Sequence, residues 1–184
     1  EQRQASNALC HYLKVSPDVR RARHLALYWP NDGEIDPRPF QAIAHKLGKQ
    51  CYLPVLHPVH HNRLWFLQLN EDTRLVRNRF GIPEPEIRRS ASRPAWALDL
   101  ILMPLVGFTA RGDRLGMGGG FYDRTFDFLH HAACHKPRLI GLAHECQRVA
   151  TMPTASWDIP MDSIITDGGQ YAARRRSLPR SSHT

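Results

Sequence analysis

The stretch DRLGMGGGFYDR, residues 113–124, concentrates residue types that handle anions. Four glycines, Gly116, Gly118, Gly119 and Gly120, fall within five positions directly after an apolar run. Glycine costs backbone entropy and is useful where a chain turns left-handed or lets a ligand approach its amides. Arg114 and Arg124 flank the run, and guanidinium groups match phosphate oxygens. Asp123 falls at the start of a predicted helix, where it can cap the helix or hold Mg²⁺ beside a phosphate. Free amides at that helix N-terminus add a place for negative charge. Two familiar loops are excluded by spacing. The Gly-Lys-Ser/Thr ending of a Walker loop is missing, and Gly-x-Gly-Gly-Gly is not the dinucleotide pattern Gly-x-Gly-x-x-Gly. Phosphate binding is the expected use of this loop, with a purely structural turn as the alternative.

A second cluster, HHAACHK, brings together His130, His131, Cys134 and His135. Adjacent ligands rarely converge on one ion, so a polar helix end is the preferred reading over a metal site. The four cysteines, Cys10, Cys51, Cys134 and Cys146, form no Cys-x-x-Cys pair. Scattered thiols predict a reducing compartment, hence the cytoplasm.

The glycine loop needs a scaffold, and apolar periodicity supplies one. Residues 2–14 predict an amphipathic helix with Ala5, Leu9, Tyr12 and Leu13 on one side. HLALYWP, residues 24–30, predicts a buried strand, and NDGEIDP a turn, with Asp36-Pro37 opening a helix to about Leu47. Gly48 suits its C-terminal stop. QCYLPVL and RLWFLQL predict two strands around a turn in which His57, His60 and His61 are solvated. Residues 80–94, FGIPEPEIRRSASRP, predict a long ordered loop. LDLILMPLVGF, residues 98–108, is the most apolar run and predicts a central strand buried on both faces. After the glycine loop come a helix from about Tyr122 to Cys134, a strand at 138–143 and a last short strand within 158–167. Strands alternating with helices predict an α/β sandwich with a mainly parallel sheet. Such sheets bind ligands beyond the carboxyl ends of their strands, where the glycine loop falls.

The chain has 184 residues and a formal net charge of +8. Arg174, Arg175, Arg176 and Arg180 place half of that excess in a tail without acids. Residues 1–170 are expected to form a single domain, and 171–184 a basic disordered tail. The remaining charge suits an anionic ligand without requiring nucleic acid. No run approaches the roughly 20 apolar residues of a membrane span. The chain opens at Glu1, without Met, in a helical stretch with no cap before it, so further residues are expected upstream.

The run LDLILMPLVGFTARGDRLGMGGGFYDR resembles the signature of the 5-formyltetrahydrofolate cyclo-ligases, also called methenyltetrahydrofolate synthetases. LALYWPNDGEID, FGIPEP and WDIPMDSIIT are similar to that family's first strand and Glu turn, mid-chain loop and C-terminal Asp motif, so the resemblance covers roughly residues 1–167. It implies a Rossmann-like three-layer α/β/α domain. It implies an enzyme that joins N10 of 5-formyltetrahydrofolate to the formyl carbon, using ATP and Mg²⁺. Products would be 5,10-methenyltetrahydrofolate, ADP and phosphate, through a phosphorylated formyl intermediate. Carried over by position, Arg114, Leu115, Gly116, Met117, Gly118, Gly119, Gly120, Phe121 and Tyr122 would wrap the ATP phosphates. Met117 to Phe121 would also face the folate. Arg114, Tyr122 and Asp123 would be catalytic, and Asp123 and Asp162 would hold Mg²⁺. Glu34 would hydrogen-bond the pterin or formyl end, and Trp29 would pack against it. The implied partner is 5-formyltetrahydrofolate, with or without a polyglutamate tail, bound by a monomer, with no membrane or nucleic-acid partner.

Three departures stand out. Phe121 replaces the family's usual Tyr, which removes a hydroxyl near the transferring phosphoryl. Met117 fills a position that is often polar or basic. The family's basic segment before the first helix has no matching residues here. The competing expectations are a related α/β protein acting on another phosphate or acyl ligand, and a nucleic-acid binder that uses the Arg-rich tail.

Overall fold

In the computed structural model, the described residues are 1–116, 119–130, 137–155 and 158–173. The N-terminal helix α1 (Gln2–Val15) buries Ala5, Leu9 and Leu13 of the predicted face together with Ser6 and Cys10, with Tyr12 only partly buried, and α2 (Pro17–Arg21) follows it. β1 (His24–Ala26) is shorter than the run 24–30 suggests. Leu27 still donates to the Tyr52 carbonyl at 2.9 Å, but the chain leaves the sheet at Tyr28, whose hydroxyl donates to the Ile35 carbonyl at 2.6 Å. α3 (Arg38–Lys46) ends before Gly48, whose φ of +74° supplies the left-handed stop. β2 (Gln50–Leu56) and β3 (Leu64–Leu69) form a hairpin. In its turn His57 Nδ1 accepts the amides of Val59 and His60, at 3.2 and 3.0 Å.

The segment expected as one long loop contains short structure. β4 (Leu75–Arg77) pairs with β5 (Pro83–Pro85), and β6 (Ser92–Arg93) pairs with the edge of β3. Three prolines hide these strands, because proline removes a ladder donor and is tolerated only at edges.

β7 (Leu100–Pro104) is central, as its composition predicts. It leads into a small hairpin of β8 (Gly107–Phe108) and β9 (Arg114–Leu115). Among the described residues of the helix expected over Tyr122–Cys134, there is α4 (Phe121–Thr125), followed by a 3₁₀ turn at Asp127–His130. Aromatic and β-branched residues are indifferent helix formers, and fully buried Phe126 sets the path instead. Residues 131–136, most of the His/Cys cluster, lie outside the described residues, as does the Arg-rich tail. β10 (Arg138–Ala143) and β11 (Ser163–Thr166) follow expectation, and β12 (Gln170–Ala172) adds an edge strand that was not expected. Asp167-Gly168 between apolar flanks is a hairpin signal that announces it.

The eight-stranded sheet has the order β12-β11-β10-β7-β1-β2-β3-β6. Its five inner strands, β11 to β2, are parallel, with antiparallel strands at both edges. Alternate residues of β7 feed two cores. Leu100 and Leu102 pack with Leu9, Leu13 and Phe40 on the helical side, and Ile101 and Met103 pack with Phe66, Phe108 and Phe126 on the other. This burial on both faces explains the unbroken apolar runs.

Gly141 in β10 shows how tight the second core is. A Cβ there would sit 3.0 Å from Leu105 Cγ and 3.2 Å from Cδ2. Gly141→Ala is expected to destabilise by about 2 kcal/mol through overpacking. Thermal unfolding should show a Tm drop of about 4–8 °C, and an unchanged Tm would refute the close packing.

Candidate functional site

Three chain segments leave the carboxyl ends of the parallel strands and meet. Beyond β1 comes the turn that carries Trp29 and Glu34. Beyond β7, the β8–β9 hairpin returns the chain to the glycine loop and α4. Beyond β10 is His144, whose Nε2 lies 3.2 Å from the Gly33 carbonyl oxygen, joining the first segment to the third.

Arg114 and Asp123 form the polar centre of the glycine loop. The Arg114 side chain is only 8% exposed, and its Nη2 is paired with Asp123 Oδ1. Its Nε donates to the Ile159 carbonyl at 3.3 Å, while the Ile159 amide donates to Asp123 Oδ1 at 3.1 Å. Both backbone polar groups of buried Ile159 are therefore held by one ion pair. Arg114 Nη1 lies 3.0 Å from where a Gly116 Cβ would sit, so a side chain there would press on the guanidinium. Tyr122 lies within the field of both loops. Burial pushes its phenol well above the ordinary range, Glu34 pushes it further up, and Arg114 pulls it back. The hydroxyl thus keeps its proton at physiological pH and is available as a hydrogen-bond donor.

Glu34 accepts the Asn31 amide through Oε2 at 3.0 Å. Burial raises its carboxyl above the ordinary carboxylate range, the Asn31 bond pulls it back, and Asp32 adds a smaller upward push. It lines a cleft of about 590 Å³ between this turn and the start of α1, together with Arg3, Ser6, Gly33 and Arg38. Trp29 carries the Arg38 guanidinium over its ring at 4.8 Å, and Arg38 is itself paired with Asp36 at 2.8 Å.

The structure brings Arg114, Tyr122, Asp123 and Glu34 into one electrostatic neighbourhood. Met117 and Gly118 lie outside the described residues. Leu115 is half exposed, and its carbonyl accepts the Val106 amide at 2.9 Å. Gly119, Gly120 and Phe121 form the loop's descent into α4, with Gly120 at φ +64°. Two expectations change. α4 has five residues, too few to carry much of a helix dipole, so anion binding would rest on amides and arginine. Arg124, expected to face phosphate, is exposed and already donates its guanidinium N–H groups to the carbonyls of Asn62 and Gly119.

Asp162 is committed elsewhere. Its Oδ2 accepts the Leu139 amide at 2.8 Å, and its Oδ1 accepts Arg138 Nη1 at 3.1 Å. Arg138 also reaches Asp18, which ties α2 to the amino ends of β10 and β11. Both Asp162 oxygens are taken, so the residue does not fit a metal without giving up Arg138. Asp123 fits better: both of its bonds to described residues fall on Oδ1. One carboxylate oxygen plus phosphate oxygens is an ordinary Mg²⁺ set. Among the described residues, no group of three or more His, Cys, Asp or Glu side chains could hold a metal by itself. Ile159, His144 and Arg138 escaped the sequence reading, because only tertiary contact defines what they do.

Comparison with known proteins completes the description. The profile of the 5-formyltetrahydrofolate cyclo-ligase family matches residues 1–167. The 5-formyltetrahydrofolate cyclo-ligase of Escherichia coli K12 is 41% identical over 82% of this chain and 81% of its own length. That of Haemophilus influenzae is 38% identical over 90% and 87%. Among solved structures, the 5,10-methenyltetrahydrofolate synthetase of Aquifex aeolicus superposes with a TM-score of 0.77 at 31% identity, covering 99% of this chain and 88% of that one.

Proposed function

The chain belongs to the 5-formyltetrahydrofolate cyclo-ligase family, and from that premise we propose that it converts 5-formyltetrahydrofolate to 5,10-methenyltetrahydrofolate with Mg-ATP, releasing ADP and phosphate. ATP with Mg²⁺ would supply the activation, a γ-phosphoryl for the formyl oxygen, so that phosphate can leave and N10 can give up its proton as N10 bonds to the formyl carbon. The observation that carries this reading is the Arg114–Asp123 ion pair beside the glycine loop, with the buried Tyr122 hydroxyl in the fields of both Arg114 and Glu34.

The protein's share is to position groups and offset charge. Loop amides from Gly116, Gly119 and Gly120 and the Arg114 guanidinium would face the phosphates. Tyr122 stays protonated and donates a hydrogen bond. Asp123 Oδ2 would take Mg²⁺, whereas Asp162, held by Leu139 and Arg138 at the amino ends of β10 and β11, would not share it from that place. Glu34, when ionised, accepts N–H groups of the pterin end, and Trp29 packs beside it once Arg38 moves off its ring. A cytoplasmic monomer is the proposed setting. Burial pushes the Cys10 and Cys51 thiols up to about 11 and about 12 and keeps them unreactive. Among the described residues, no helix is long and apolar enough to cross a membrane.

The test follows the absorbance band of the methenyl product. Purified protein with Mg-ATP and 5-formyltetrahydrofolate is expected to build the band, and excess EDTA or omission of ATP should flatten the trace. Band growth that ignores both ATP and EDTA would overturn the proposed energetics. No growth under any condition would overturn the activity.

A further inference from the structure

We propose that Arg124 is a positioning residue, which staples the glycine loop to the β2–β3 hairpin turn and so holds the loop ready for nucleotide. Its guanidinium reaches both partners. Nε donates to the Asn62 carbonyl at 2.8 Å, and Nη2 donates to the Gly119 carbonyl at 2.5 Å. Cζ stands 5.2 Å from the centre of the Phe121 ring, and Nη1 lies 2.9 Å from where a Gly120 Cβ would be. The next residue repeats the connection. Thr125 Oγ1 accepts the Leu64 amide at 2.8 Å while donating to the Phe121 carbonyl at 2.6 Å. Two consecutive side chains therefore fasten the end of the loop to one hairpin.

The chemistry suits a brace better than a ligand contact. Guanidinium N–H groups in a fixed fork can bridge two carbonyls at once, and the charge does not titrate. A glycine-rich loop loses much backbone freedom when it orders around a ligand. An arginine that orders part of it beforehand removes that cost from binding. Phe121 also gains a use here, since its ring packs beside Gly119 and under the guanidinium. The inference rests on the proposed function for its kinetic readout alone.

The experiment compares the full chain with Arg124→Met and Arg124→Lys. Hydrogen exchange is followed in the ligand-free proteins, and kcat and KM for ATP are taken from the methenyl assay. Arg124→Met is expected to speed exchange about fivefold or more in both 57–64 and 119–125. It should raise KM for ATP about tenfold and leave kcat within about twofold. Arg124→Lys, which keeps charge and part of the bonding, should fall between. Raised KM with unaltered exchange would make Arg124 a direct phosphate ligand and overturn the proposal. Faster exchange with unaltered KM would make the staple merely structural, and no change in either would remove any role. If the unaltered chain makes no methenyl product, the proposed function fails, and calorimetric Kd for ATP replaces KM in deciding this inference.

Discussion

Asp123→Asn should cut methenyltetrahydrofolate formation about a hundredfold or more at saturating Mg-ATP, the usual cost of losing one preorganised electrostatic group. Asparagine keeps an oxygen that can still accept the Ile159 amide, which Asp123 Oδ1 now does at 3.1 Å. It removes the charge that pairs with Arg114 and the oxygen proposed for Mg²⁺. Asp123→Ala removes the Ile159 bond as well and strands Arg114, whose side chain is 8% exposed. Leaving a buried charge unpaired costs about 3–5 kcal/mol, so the alanine variant should also lose stability. The pair of variants separates the two roles. Asn, whose oxygen can still accept from Arg114 or from the Ile159 amide, should lose rate with a smaller drop in Tm than Ala, which loses the charge and both hydrogen bonds. An Asn variant with the unaltered protein's rate would sink Asp123 as the proposed metal and charge-stabilising residue.

Glu34→Gln should behave in the opposite way toward stability. Its kcat/KM for 5-formyltetrahydrofolate is expected to fall about thirty- to a hundredfold, the worth of a hydrogen bond to a charged acceptor. Gln can still accept the Asn31 amide, so the turn should hold. The pH dependence follows from burial, which raises the Glu34 carboxyl above its ordinary value of 4.5. Below the ordinary value, the proton is bound in folded and unfolded chains alike, and the stabilisation from a neutral Glu34 is fully present. As pH rises through the elevated folded value, the carboxylate ionises in a half-buried place and that stabilisation is lost. At neutral pH the ionised side chain therefore costs stability, and the Gln variant should match or exceed the Tm of the unaltered protein. Activity has the reverse dependence. The unaltered enzyme should lose kcat/KM as pH falls through a value above 4.5, and this acid limb should vanish in the variant. A Gln variant that unfolds several degrees earlier at neutral pH would show Glu34 to be structural, not a substrate contact.

What the amino-acid sequence determined by itself was whatever local pattern encodes. The apolar run 98–108 announced a central strand, because a strand buried on both faces must be apolar at every position. The face of α1, the span of α3 with its Gly48 stop and the two strands β2 and β3 around a turn were legible from periodicity and turn chemistry. So was the glycine loop as a place of close approach, and the ordered motif around it carried the family resemblance that the comparisons bear out. Tertiary structure decided the rest. The short α4, the pairing of β6 and the commitments of Asp162 and Arg124 could not be read from spacing. A carboxylate or guanidinium looks the same in sequence whether it faces a ligand, an amide or an opposite charge. Asp162 is bound by Leu139 and Arg138, and Arg124 by the carbonyl of a residue 62 positions earlier. Such partners are chosen by long-range packing, which brings distant backbone groups within hydrogen-bond reach and leaves no local signature.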